Sequence, residues 1–165
     1  KKNYIFNLRH IKLKKNMGPG YCSNLAVKKS SGDFIIRVDS DDFIGKLAIE
    51  TMSNILIFNQ HISYVYGDVM KIDEKGRNLK LIKLNSKKQR YDLGAGILFR
   101  KSTILKVGNY NKKLRQAEDY DLLRRIDKKK FKSFYIPVPY YRYYIHGTNM
   151  SLDGQRKKVI KNLKI

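Results

Sequence analysis

Apolar positions along the chain alternate between strand-like runs and helix-like spacing. Phe34-Ile35-Ile36-Arg37-Val38, bounded by Ser31-Gly32-Asp33 and by Asp39, reads as a short buried strand. Ile44, Leu47, Ala48, Met52, Ile55 and Leu56 then recur at three- and four-residue steps, which predicts an amphipathic helix packed on a sheet. Ile62 to Tyr66 predicts a second strand ending at Gly67-Asp68. Val69 to Ile72 and Leu79 to Leu84 flank the turn-rich Asp73-Glu74-Lys75-Gly76, as a hairpin would. Gly94 to Phe99 predicts a further buried strand, and Ser102 can cap a short helix ending near Gly108. A helix follows from about Gln116 to Lys128, with Glu118 and Asp119 in its first turn. Phe131 to Ile136 and Tyr140 to Tyr144 read as late strands separated by Pro137-Val138-Pro139, and Gly20 to Lys29 as an early helix. This alternation predicts an α/β fold, a sheet with a parallel core and antiparallel additions flanked by helices.

Composition adds a class and a charge. A chain of 165 residues with 42% hydrophobic residues supports one domain, here residues 1–150, followed by a basic tail, 151–165, helical or frayed. Lys and Arg number 36 against 14 Asp and Glu, a net charge of +22, so the chain is drawn to polyanions and anionic lipid. No Cys/His finger or other nucleic-acid reading element accompanies that charge, which disfavours nucleic acid as the partner. Cys22 is alone, and no apolar run is long enough to cross a bilayer; a reducing, cytoplasmic setting is expected. In the tail, Leu152, Val159, Ile160 and Leu163 beside Arg156, Lys157, Lys158, Lys161 and Lys164 suggest peripheral contact with the inner face of a membrane.

The sharpest chemical feature is Val38-Asp39-Ser40-Asp41-Asp42, a carboxylate cluster placed directly after a buried strand, where α/β sheets gather ligands. Carboxylates this close repel one another unless a positive charge sits among them. A divalent Mn or Mg ion, completing its shell with water and phosphate oxygens, would supply it. The competing structural reading makes Asp41 and Asp42 caps of the helix that starts near Ile44. Glu118-Asp119 forms a second acidic pair, placed either to balance a helix dipole or to take a proton from an attacking hydroxyl. Tyr140-Tyr141-Arg142-Tyr143-Tyr144-Ile145-His146 ends in a histidine able to complete a metal shell or touch a phosphate.

Asn16-Met17-Gly18-Pro19-Gly20, Asn24-Leu25-Ala26 and Ser31-Gly32-Asp33-Phe34-Ile35 lead in order into Val38-Asp39-Ser40-Asp41-Asp42. Tyr66-Gly67-Asp68, Gly94 to Arg100, Val107-Gly108-Asn109-Tyr110, Glu118-Asp119-Tyr120-Asp121-Leu122 and the tyrosine-rich run to His146 follow. Together they closely resemble the family 2 glycosyltransferases of GT-A fold. The resemblance implies a mixed sheet that lacks the family's first strands, so that the chain opens at what should be the third strand, Asn7 to Leu13. It implies a hexosyltransferase-like enzyme moving a sugar from a nucleotide-diphospho-sugar donor to a glycan or lipid-linked acceptor hydroxyl in polysaccharide or surface glycan synthesis, with inversion and a Mn or Mg ion. Residue by residue, Asp39 and Asp41 match the D-x-D motif, Asp41 the better metal ligand and Asp39 toward the ribose or the metal's waters, with His146 as a further metal ligand. Asp119 matches the general base, with Glu118 as its partner. Asn16 and Gly18 match the loop along the nucleotide, and Arg142 faces the diphosphate. The alternative reading is a truncated, inactive remnant or a basic module binding anionic lipid or nucleic acid.

Overall fold

The structure is a computed structural model that describes residues 7–91, 94–149 and 154–163. One six-stranded mixed sheet lies between two helical layers. Its strands are β1 (Phe34–Ile36), β2 (Phe43–Ile44), β3 (Ile62–Ile72), β4 (Asn78–Ile82), β5 (Leu98–Arg100) and β6 (Lys132–Tyr144). The order across the sheet is β1-β5-β3-β6-β2, with β4 also pairing β3. The expected parallel core reduces to a single parallel pair, β3 with β6, and every other pairing among the described residues is antiparallel.

Alternation along the strands divides the core in two. Helices α1 (Pro19–Lys29), α4 (Lys101–Lys106) and α5 (Glu118–Lys128) cover one face, burying Val27, Ile104, Leu122, Leu123 and Ile126 against Tyr64, Tyr66, Phe99 and Tyr141. Helix α2 (Ala48–Phe58) covers the other, packing Met52 and Leu56 on Ile62, Val65, Leu98 and Ile136. The short α3 (Lys87–Arg90) is capped by Ser86, whose hydroxyl accepts the Gln89 N–H at 3.2 Å. Helix α6 (Gln155–Leu163) closes the described chain with no buried residue.

Two predicted breaks are absent. Ile62–Tyr66 and Val69–Ile72 form one strand because Gly67 and Asp68 are accommodated as an irregularity in the β3–β6 register rather than as a turn. The same shift explains how β6 runs through two prolines. Pairing passes from Gly67 opposite Ile136 to Val69 opposite Tyr141, so Pro137 and Pro139 fall in the skipped stretch, where no ladder N–H is required of them. Gly67 lies so close to the bulging strand that a Cβ there would stand 2.6 Å from the Val138 carbonyl oxygen. Buried Asp68 then ties the sheet together, accepting the Leu84 N–H at 2.9 Å and the Tyr135 hydroxyl at 2.7 Å.

Other boundaries move. The helix expected from Ile44 starts at Ala48, because Phe43–Ile44 first pairs with Arg142 and Tyr141 as β2. Strand β5 spans only Leu98–Arg100, since residues 94–96 form a turn at the site. Helix α4 begins at Lys101 rather than after Ser102, its first N–H reaching the Asp33 carbonyl at 2.8 Å. Residues 7–13 contain no strand; Arg9 instead donates to the Lys29 carbonyl at 2.6 Å.

Helix α5 delivers the second acidic pair, and its entry is unusual. Ala117, at its N-cap, takes a left-handed backbone with φ 61° although fully buried. Such a conformation costs a non-glycine residue on the order of 1–3 kcal/mol, borne by the packing around it. Arg125 anchors the other end, pairing with Asp121 at 2.8 Å and donating to the Val107 and Asn109 carbonyls at 2.5 and 2.6 Å. Ala117→Val, which adds β-branched bulk in this conformation, is expected to cost about 2–4 kcal/mol, whereas Ala117→Gly stays within about 1 kcal/mol of wild type. Urea unfolding midpoints of the two variants measure the difference.

Candidate active site

The site draws on three segments: the loop after β1 and the start of α5, which carry the acids, and the end of β6 with the residues just beyond it, which carry Tyr141, Tyr144 and His146. Arg37 lies between the first two. Its Nε donates to Asp39 Oδ1 at 2.7 Å and its Nη1 to Glu118 Oε1 at 2.6 Å. Burial works against this charge, but the two carboxylates outweigh it and raise the guanidinium pKa further. The Glu118 side chain is 4% exposed. Burial and neighbouring Asp119 push its carboxyl upward from the ordinary value, against the pull of Arg37. Tyr110, buried beside this group, has its hydroxyl pushed up to about 12, mainly by burial.

Asp42 is buried and caps no helix. It accepts the Tyr141 hydroxyl at 2.6 Å and the Tyr144 N–H at 2.9 Å, so it pins the acidic loop to β6. Tyr141 Oη in turn accepts the Asp39 N–H at 3.2 Å. Asp41 is thereby left facing outward, its side chain 41% exposed, with His146 Nε2 2.9 Å from its Oδ2. The histidine is oriented from behind: Nδ1 meets Thr148 Oγ1 at 2.8 Å, and its N–H donates to Asn149 Oδ1 at 2.7 Å. Buried Asn149 donates back to the Tyr144 carbonyl at 3.0 Å.

Asp119 stands in the first turn of α5 with its side chain 12% exposed. It accepts the Tyr120 N–H at 2.7 Å, and both its oxygens are held by Arg156 of α6, at 2.8 and 3.0 Å. The turn before β5 fits around these side chains. A Cβ on Gly94 would stand 1.9 Å from Asp119 Cβ, and one on Gly96, at φ 73°, would stand 2.5 Å from the Tyr141 ring. Gly94 and Gly96 thus present bare backbone where Asp119 and Tyr141 are seated.

The sequence profile of glycosyl transferase family 2 matches residues 2–110, well over half the chain. The chain belongs to glycosyl transferase family 2. An uncharacterized glycosyltransferase of Haemophilus influenzae is 32% identical over 109 residues, covering 64% of this chain and 43% of the relative. One of Methanocaldococcus jannaschii is 30% identical over 131 residues, covering 74% of this chain and 45% of the relative. The chain therefore spans somewhat under half the length of these curated relatives. Its fold is the GT-A fold seen in Staphylococcus aureus TarS residues 1–349, crystallised in complex with UDP-GlcNAc, at TM-score 0.72 and 19% identity, covering 95% of this chain and 49% of that one. The mannosyltransferase PcManGT of Pyrobaculum calidifontis, in complex with GDP-Man and Mn2+, aligns at TM-score 0.64 and 10% identity over 94% of this chain and 46% of that one.

Within this family member, the residues expected to act together divide. Asp41 and His146 meet, Arg37 links Asp39 to Glu118, and Asp119 is held separately by Arg156. Asp39 is turned to Arg37 rather than into a three-ligand group, and the described residues hold no cluster of three or more His, Cys, Asp or Glu able to take a metal. Arg142 departs from expectation. It pairs opposite Phe43 and Met70, and alternation puts it on the α2 face, opposite Tyr141 and Tyr143. Asn16 and Gly18 form a tight turn, the Gly18 N–H donating to Asn16 Oδ1 at 2.9 Å, with Arg115 packed against Gly18.

Arg37 and Arg156 escaped the sequence reading. Arg37 carried a signal, since a charge inside an apolar strand run requires a buried partner. Arg156 carried none; it was one basic residue among many in the tail.

Two outcomes follow from this packing. Gly94→Ala is expected to displace Asp119 and to lower stability by about 1–3 kcal/mol, measured by urea unfolding. Glu118 and Asp42 both have carboxyl pKa values raised in the fold, so the native state holds protons that the unfolded chain has released. Stability is therefore expected to fall as pH rises from the ordinary carboxylate value through the raised one. Glu118→Gln should flatten that slope in melting temperatures recorded from about pH 4, near the ordinary carboxylate value, upward.

Proposed function

We propose that this chain transfers a sugar from a nucleotide-diphospho-sugar to an acceptor hydroxyl, with inversion, in glycan or surface polysaccharide assembly. The observation that carries the reading is the meeting of Asp41 and His146, 105 positions apart in sequence, at 2.9 Å on the rim of the sheet. A carboxylate oxygen and an imidazole nitrogen suit Mn, and also Mg when phosphate and water fill the other positions. Thr148 behind His146 fixes the ring, as the outer shell of a metal-binding histidine does. These residues fit the divalent ion that the family implies. Bound there, it would offset charge developing on the leaving diphosphate.

The chain's own groups divide the rest of the work. Asp119, less buried than Glu118, is the base that accepts the acceptor hydroxyl's proton as its oxygen attacks the anomeric carbon. Glu118 is a structural partner, joined through Arg37 to Asp39, and so keeps the base and the donor loop in register. Asn16 and Gly18 lie along the nucleotide, with Arg115 adding positive charge at that loop. The TarS and PcManGT complexes with UDP-GlcNAc and GDP-Man support this donor class. The acceptor is a glycan or a lipid-linked sugar, and the exposed basic α6 suits a peripheral position at an anionic membrane.

Titration calorimetry with UDP-GlcNAc and GDP-mannose in the presence of Mn tests the reading. Binding is expected to vanish with EDTA and with Asp41→Ala, and to weaken about 10- to 100-fold with His146→Ala. Asp119→Asn is expected to retain donor binding while lowering turnover roughly 10²- to 10⁴-fold. Metal-independent binding that survives Asp41→Ala would sink the assignment.

A further inference from the structure

Asp119 is proposed above as a base, yet most of its acceptor positions are already taken. A carboxylate offers about four acceptor positions. Arg156 Nη1 takes Oδ1 at 2.8 Å, Arg156 Nη2 takes Oδ2 at 3.0 Å, and the Tyr120 N–H takes Oδ1 again at 2.7 Å. The position left over belongs to Oδ2, against which Gly94 packs so tightly that a Cβ there would stand 2.2 Å away. An acceptor hydroxyl cannot pass its proton to Asp119 while this fork stays in place.

Arg156 is suited to leaving. It comes from α6, a helix with no buried residue, and its own side chain keeps 19% of its surface exposed. A guanidinium fork matches phosphate oxygens as well as it matches a carboxylate, so a diphosphate can take the place of Asp119 on the fork. The competing anion would arrive nearby. Glu118, adjacent to Asp119 in the chain, shares Arg37 with Asp39 in the loop that carries Asp41.

We propose that Arg156 exchanges partners during the reaction cycle, clamping Asp119 in the empty site and moving to the donor's diphosphate when the donor binds. The base is then uncovered only once a donor is seated. This rests on the reading of Asp41 and Asp119 given above.

Calorimetry of manganese pyrophosphate binding to the full chain tests the exchange without requiring the acceptor or the nucleotide. Arg156→Gln is expected to lower affinity about 10-fold or more, the loss of a charge-assisted pair. Asp119→Asn is expected to raise affinity, because it removes the competitor for Arg156, and to raise it far less in the Arg156→Gln background. Arg156→Lys, which keeps the charge without the fork, should fall between wild type and Arg156→Gln; circular dichroism establishes that each variant is folded. Equal gains from Asp119→Asn in both backgrounds would reduce the effect to simple charge removal and overturn the exchange, as would an unchanged affinity in Arg156→Gln. Asp41→Ala separates the two levels. If it abolishes binding while the Arg156 cycle is flat, the exchange alone falls. If the wild-type chain binds no manganese pyrophosphate, the donor-site reading falls and the exchange with it.

Discussion

Arg37 follows β1 with its guanidinium between neighbouring Asp39 and Glu118, the latter 81 positions beyond Arg37 itself. Without it the acidic loop and the start of α5 would repel across a poorly solvated gap, and a lone carboxylate as buried as Glu118 would be costly to keep ionised. With it, one cation satisfies both acids and fixes their separation. The neighbouring contacts depend on that separation: Asp119 is adjacent to Glu118, and Asp41 lies two residues beyond Asp39. The strain held at Ala117 fits the same requirement, since its left-handed turn lets α5 begin at the buried glutamate.

A second constraint acts from the sheet. β6 is paired in parallel with β3 through most of its length, and its far end carries Tyr141 and Tyr144, which hold Asp42. The acidic loop is therefore fastened to the sheet's most extensively paired strands rather than left as a free turn. The turn at residues 94–96 completes the seating because it presents no side chain at Gly94 or Gly96, where Asp119 and the Tyr141 ring lie. Rigid pairing in the sheet thus becomes defined placement of side chains on loops, which is how a scaffold serves a site.

Local patterns in the sequence reached most of the helices and strands, and the two acidic segments, because periodicity and strand-end carboxylates are short-range signals. They misjudged continuity where tertiary register decides it. Gly67-Asp68 and Pro137-Val138-Pro139 look like terminators in isolation, yet opposite one another they form a matched irregularity within two long strands. They also misjudged Asp42, whose nearness to a helix suggested a cap; its partners lie 99 and 102 positions away. Arg142 illustrates the same limit. Membership of a tyrosine-rich strand leading to His146 suggested the site, but alternation turns it to the other face. Pairings such as Arg156 with Asp119 depend on how a terminal helix docks, and no short pattern encodes that.

The charge ledger of the site explains why so basic a chain keeps an acidic centre. Asp39, Asp41, Asp42, Glu118 and Asp119 gather there against two guanidinium groups, with His146 contributing only when protonated. The two arginines pair with Asp39, Glu118 and Asp119, Tyr141 and the Tyr144 N–H hold buried Asp42, and exposed Asp41 is left in local excess. That pattern favours a small hard cation at the rim and disfavours a bare anion. The whole chain's net charge of +22 acts in the opposite sense at long range, drawing polyanionic molecules toward the surface. The two fields are compatible if the anion arrives with, or after, the divalent cation that the acidic rim attracts. A nucleotide-diphospho-sugar accompanied by its metal meets both conditions, whereas a nucleic acid satisfies only the long-range one.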